Sequence, residues 1–153
     1  MNLQEIYDHT TVAVLNQGRQ ATGGASGGCR LRGRHGSKCI IGWCIADEDY
    51  KEEMEPDAGL YDYKKMSGYD HEDEQEDTDD AIDSFTHREI GAAVVKTVGE
   101  IDREKFEFLI KLQTAHDDNY YMADMRKEFH EIGSNFGLDT SKVDAFADEL
   151  ENA

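Results

Sequence analysis

Cys29, His35, Cys39 and Cys44 are residue types that can hold zinc. Structural zinc sites are usually built on Cys-x(2–4)-Cys knuckles, because two thiolates of one tight turn must reach the same tetrahedral ion. The spacing here is Cys-x5-His-x3-Cys-x4-Cys, so only the last pair approaches a knuckle. That pair lies in the apolar run from Cys39 to Ile45, where a free cysteine packs as a small hydrophobe. Buried, reduced thiols are therefore expected. The four residues stay zinc candidates by type alone, and no cofactor is expected. Three cysteines, an odd count, also argue against a disulfide framework and for a reducing compartment.

Other catalytic constellations fail on context. A nucleophilic Cys39 would need a cation on its own side, but Lys38 is its strand neighbour and points the other way. No nucleophile, base and orienting group can be assigned, so an enzyme is not expected. Gly23 to Gly28 invites a phosphate-loop reading, yet no Lys-Ser or Lys-Thr follows the cluster. Aligning Gly99 with the central glycine of a calcium loop puts Val94, Lys96, Val98 and Lys105 where oxygen ligands are required, and that reading fails.

The acids are the distinctive feature. From Asp70 to Asp83 there are nine Asp or Glu and no Lys or Arg. One reading is a solvated, self-repelling loop. The other is a surface imitating the closely spaced charges of a nucleic-acid backbone. The acids that would carry it are Glu72, Asp73, Glu74, Glu76, Asp77, Asp79 and Asp80, supported by Glu52, Glu53 and Glu55. Paired-carboxylate hydrolysis would need two acids fixed in a pocket. The opposite charge is gathered in Arg30, Arg32, Arg34 and Lys38, and Arg30, Arg32 and Arg34 with Trp43 make an alternative partner surface.

These groups sit in a chain of 153 residues with 34 acids, 16 Lys or Arg and a formal charge of -18. The length suits one domain spanning 1–153. Leu, Ile, Val and Phe number 29 of 153, close to the limit below which chains of such charge do not fold. No apolar run approaches the ~18 residues of a membrane span. The first residues, Met1-Asn2-Leu3-Gln4-Glu5, do not read as a secretory signal, so a cytoplasmic location is expected. Direct nucleic-acid binding is not expected, because it needs surplus Lys and Arg. Charge is uneven: residues 1–45 carry +3, 46–83 carry -14 and 84–153 carry -7.

The apolar spacing predicts the supporting elements. Leu3, Ile6, Tyr7, Thr10 and Val14 mark a helix over 2–17, stopped by Gly18. Residues 18–28 read as a Gly-rich linker. Period-two alternation from Cys29, a turn at 34–37 and a return through Gly42 predict a β-hairpin with a basic face. Asp47 should cap a short acidic helix reaching Met54. Residues 66–83 read as an acidic insert, too poor in apolar area to offset ordering entropy and so mobile. Helices are expected with caps at Ser84 or Thr86, over 102–115, over 118–136, and after Asp139 or Thr140. Phe106, Leu109, Met125, Phe129 and Ile132 are the expected core. The fold class is mostly α, strictly α+β: a small helical domain with one hairpin near residues 29–42.

Three stretches together resemble a family of small bacteriophage and prophage proteins. The first is Leu3-Gln4-Glu5-Ile6-Tyr7-Asp8. The second runs from Cys29-Arg30-Leu31-Arg32-Gly33 through Gly36-Ser37-Lys38-Cys39-Ile40-Ile41-Gly42 to Ile45-Ala46-Asp47-Glu48-Asp49-Tyr50 and Met54-Glu55. The third is Leu112-Gln113-Thr114-Ala115-His116-Asp117, with Asn135-Phe136-Gly137-Leu138 further on. The resemblance implies a phage origin and no defined activity, and it skips the acidic insert. It also bears on zinc, since the turn position held by His35 is usually not histidine in those relatives.

Charge and resemblance together lead us to expect an acidic phage protein that binds and inhibits a host protein bearing a basic surface, for instance in a defence system. The alternative is a structural or regulatory phage accessory domain, with a homodimer left open, that works through the basic hairpin.

Overall fold

The structure is a computed structural model that describes residues 1–22, 29–55 and 75–151. Its long elements are helices: α1 (Leu3–Gln17), a short α2 (Ile40–Trp43), α3 (Gln75–His87), α4 (Glu89–Val98), α5 (Arg103–Asp118) and α6 (Met122–Asn135). Two short helices, α7 (Ser141–Asp144) and α8 (Ala147–Glu151), close the chain. No described helix is long and apolar enough to cross a membrane.

Local chemistry accounts for the helix ends. The Asn2 side chain accepts from the Glu5 amide at 2.8 Å while the Glu5 carboxylate takes the Asn2 amide, a reciprocal capping box. Gly18 ends α1 with a positive φ of 74°. Asp102 caps α5 by accepting from the Lys105 amide at 2.8 Å. α1 packs against α2, α5, α6 and α7, with Ile6, Tyr7 and Val14 fully buried. The Tyr7 hydroxyl donates to the Phe129 carbonyl at 2.7 Å, and Phe108 lies edge-on to Phe136. Phe106, Leu109, Met125 and Phe129 are buried as expected, whereas Ile132 is only half-buried.

The expected hairpin is not formed, and no β-strand occurs among the described residues. Only single bridges link Thr22 with Cys29 and Arg32 with Lys38. The reason lies in where the backbone donors go. The Leu31 and Arg32 amides donate to the two oxygens of the Glu55 carboxylate, at 2.9 and 3.0 Å, instead of to a partner strand. Beyond Lys38, Cys39, Ile40, Ile41 and Gly42 are all buried in succession, so the chain cannot alternate between a wet and a dry face. It coils into α2, capped by the Cys39 sulfur, which accepts from the Gly42 amide at 3.3 Å. Gly42 is required there: a Cβ would collide with the Leu31 carbonyl.

Two further elements differ from expectation. Asp47–Met54 is two 3-10 turns, Asp47–Asp49 and Glu52–Met54, instead of one helix. The helix expected from Ser84 or Thr86 is broken at Arg88 into α3 and α4. Gly91 packs so tightly on the Phe85 carbonyl that no side chain fits, which brings the two helices together as a corner. The Gly-rich linker is described only at 18–22, and the acidic insert only from Gln75.

Candidate functional site

The basic turn is built together with acids of its own chain. Arg30 pairs with Glu52 at 2.8 Å and lies 3.7 Å from Glu55. Arg32 reaches Asp47 at 2.7 Å and stacks over the Tyr50 ring at 4.2 Å. Lys38 shares Asp47 at 3.3 Å and covers the Trp43 ring at 4.6 Å. Hydrogen bonding and charge from Lys38, with Arg32 behind it, hold the Asp47 carboxyl below its ordinary range. Hydrogen bonds from Arg30 and Tyr50 do the same for Glu52. Trp43 is half-buried and donates from its ring nitrogen to Gln17. Of the alternative partner residues, only Arg34 is exposed and forms no ion pair among the described residues.

The supporting acids divide the same way. Glu53 is exposed, and Glu52 is exposed but held by Arg30. The Glu55 side chain is 5 % exposed and accepts from Leu31, Arg32 and the Tyr50 hydroxyl. Glu55 is thus a structural carboxylate, lodged beneath the turn it organises. Glu72, Asp73 and Glu74 lie outside the described residues. Glu76, Asp77, Asp79 and Asp80 fall on α3. By helical spacing Glu76, Asp79, Asp80 and Asp83 share one stripe, opposite the one holding Ala81, Ile82 and Phe85. Ala81 and Phe85 are buried and Asp80 and Asp83 are exposed, so α3 docks by its apolar face and turns Asp80 and Asp83 outward.

The zinc candidates are not brought together as one set. Cys39 and Cys44 are fully buried, and His35 is exposed on the turn. Burial, with the Asp117 charge second, pushes the Cys39 thiol well above its ordinary value, and burial pushes Cys44 up to about 12. Both are packed thiols, not reactive ones.

The structure instead gathers Cys29 with His116 and Asp117, whose ligating atoms lie within 4.8 Å of one another. His116 is fully buried, its Nδ1 lies 2.8 Å from Asp117, and its Nε2 accepts from the Ala21 amide at 3.1 Å. With Nε2 as acceptor, the ring proton sits on Nδ1 and goes to the carboxylate. Neither nitrogen then offers a lone pair to an ion or a thiol. Gln113, also buried, donates to Asp117 at 2.8 Å and accepts from the Ile41 amide at 2.9 Å. Gln20 donates to the His116 and Asp117 carbonyls. This network ties residues 20–21 and α2 to the end of α5. It joins stretches that lie far apart in the chain, and it was missed because no local motif announces it. The available signal was polar Gln113 and His116 at core positions of a helix whose other inward residues are apolar.

Comparisons with protein-family models, curated proteins and solved structures return no match.

Proposed function

We propose that this chain is a non-enzymatic binding protein, encoded by a phage as the resemblance implies. It acts in the host cytoplasm by occupying a basic, nucleic-acid-binding surface of a host protein. The observation that carries this reading is the acid stripe of α3. Glu76, Asp79, Asp80 and Asp83 span seven residue steps, or ~10.5 Å at the helical rise, which is about one charge per 3.5 Å. One strand of duplex DNA carries a charge every ~3.4 Å. A helix so spaced can meet cations arranged for a phosphate backbone, and a net charge of -18 steers it toward them. Neutralisation of Arg30, Arg32 and Lys38 inside the chain supports the same reading, since it leaves the exposed Asp80 and Asp83 of α3 unopposed by those cations.

The test is to reverse Glu72, Asp73, Glu74, Glu76, Asp77, Asp79 and Asp80 to Lys and recover partners from the bacterial host at low and moderate salt. A specific basic partner, lost on reversal mainly through slower association and weakened by salt, is expected. A partner whose affinity ignores both salt and reversal would overturn the proposal.

A further inference from the structure

A second surface has the opposite chemistry. An open groove of about 560 Å³ lies between the end of α1, the 34–36 turn and the start of α6. Arg19, Arg34 and His35 supply its charge, Tyr120 and Tyr121 its aromatic wall, and Gln20 part of its floor. No Asp or Glu lines it, although acids outnumber Lys and Arg 34 to 16 in the chain.

Four observations converge on this groove. Arg19 and Arg34 are exposed and make no ion pair among the described residues, unlike Arg30 and Arg32 beside them. Tyr120 and Tyr121 are the most exposed large hydrophobic side chains described, at 77 % and 69 %, and stand edge-to-face at 5.2 Å. Tyr121 is also the N-cap of the 14-residue α6 and makes no side-chain cap bond, and Met122, the first residue of that helix, lines the groove. His35 holds a left-handed conformation (φ 61°, ψ 32°), which non-glycine residues rarely adopt and which places it at the groove's rim.

We propose that this groove binds a mononucleotide, with the phosphate between Arg19, Arg34 and the start of α6 and the base stacked on Tyr120 or Tyr121. Paired arginines match phosphate geometry, and every base presents a face to an exposed aromatic ring. The volume lies within the usual range for small-ligand sites. Total charge selects among phosphate carriers. A polynucleotide would bring many phosphates against a body of -18, with Asp118 and Asp124 close in sequence to the two tyrosines, whereas a mononucleotide brings about two charges to a local positive spot.

The experiment is calorimetric titration of the full chain with 5′-AMP, adenosine, inorganic phosphate and a single-stranded dodecamer. Saturable 1:1 binding of 5′-AMP is expected, with adenosine and phosphate each weaker by about tenfold or more. Arg19→Ala with Arg34→Ala, and separately Tyr120→Ala with Tyr121→Ala, should each weaken 5′-AMP by about tenfold while helicity by circular dichroism is unchanged. These side chains are exposed, and Arg34→Gln alone offers a milder second variant that should weaken binding in the same direction. No saturation in the millimolar range, equal affinity for phosphate alone, tighter binding of the dodecamer, or indifference to both double variants would overturn the proposal.

Discussion

Glu55 has the most to lose from a single substitution. Its buried carboxylate satisfies two backbone amides and a tyrosine hydroxyl, so truncation strands the Leu31 and Arg32 amides at once and leaves Tyr50 only its longer bond to Glu52. Glu55→Ala should cost about 3 kcal/mol in urea unfolding, and Glu52→Ala, at an exposed carboxylate, should change nothing measurable. A loss for Glu55→Ala below ~1 kcal/mol would show that water replaces the carboxylate freely. The thiols provide a second test at this scale. Cys29 is half-buried while Cys39 and Cys44 are sealed and their thiols held protonated, so a maleimide should label Cys29 in the native protein. The other two should react only on unfolding. Acid should loosen the same turn. Asp47, shared by Arg32 and Lys38, has a folded pKa below its ordinary one, so what it contributes is present above about pH 4 and is lost as pH falls through the folded value. Near-ultraviolet dichroism of Trp43, which Lys38 covers, should report that loss.

At the scale of elements, the helices rely on inward faces more than on propensity. Phe129 is fully buried on α6, and its carbonyl receives the Tyr7 hydroxyl, so α1 and α6 share one contact surface. Phe129→Ala should cost about 3–5 kcal/mol by thermal or urea unfolding, and a loss under ~1 kcal/mol would undo that packing. The corner between α3 and α4 is more specific. Gly91→Ala has no room against the Phe85 backbone, so the corner must open and α3 must shift. Faster amide exchange in α3, with α5 and α6 still protected, is the expected signature. Unchanged exchange in α3 would show that the acid stripe is held by something other than this corner.

For the whole molecule, the opposing quantities are a small apolar content and a net charge of -18. Self-repulsion of that charge works against the compact state. Raising salt from ~0.01 to ~0.15 M shortens the Debye length from ~30 to ~8 Å, so the thermal midpoint should rise by about a few degrees. A midpoint that falls with salt would mean that ion pairs such as Lys96–Asp49 and Arg32–Asp47 outweigh the repulsion. The two proposed surfaces divide this field between them. The acids of α3 belong to the net charge, and the Arg19–Arg34 groove is a local exception to it.

What the chain determines by itself is what local periodicity and caps encode. α1, α5 and α6 follow from apolar residues at helical spacing and from Asn2, Gly18 and Asp102 at their ends, because capping and amphipathicity act over one or two turns. The acids at 76–83 were also visible in sequence. Only tertiary structure decided the fate of residues 29–42. Alternation there was real, with Leu31 buried between half-buried arginines, but the donors that would have built a hairpin were taken by Glu55, 24 residues away from Leu31. His116 and Asp117 met Cys29 and Ala21 for the same reason, across 95 residues between His116 and Ala21. Neither partnership leaves a trace in local spacing, since a hydrogen bond closed through folding depends on which surfaces the helices bring together and not on the residues between them.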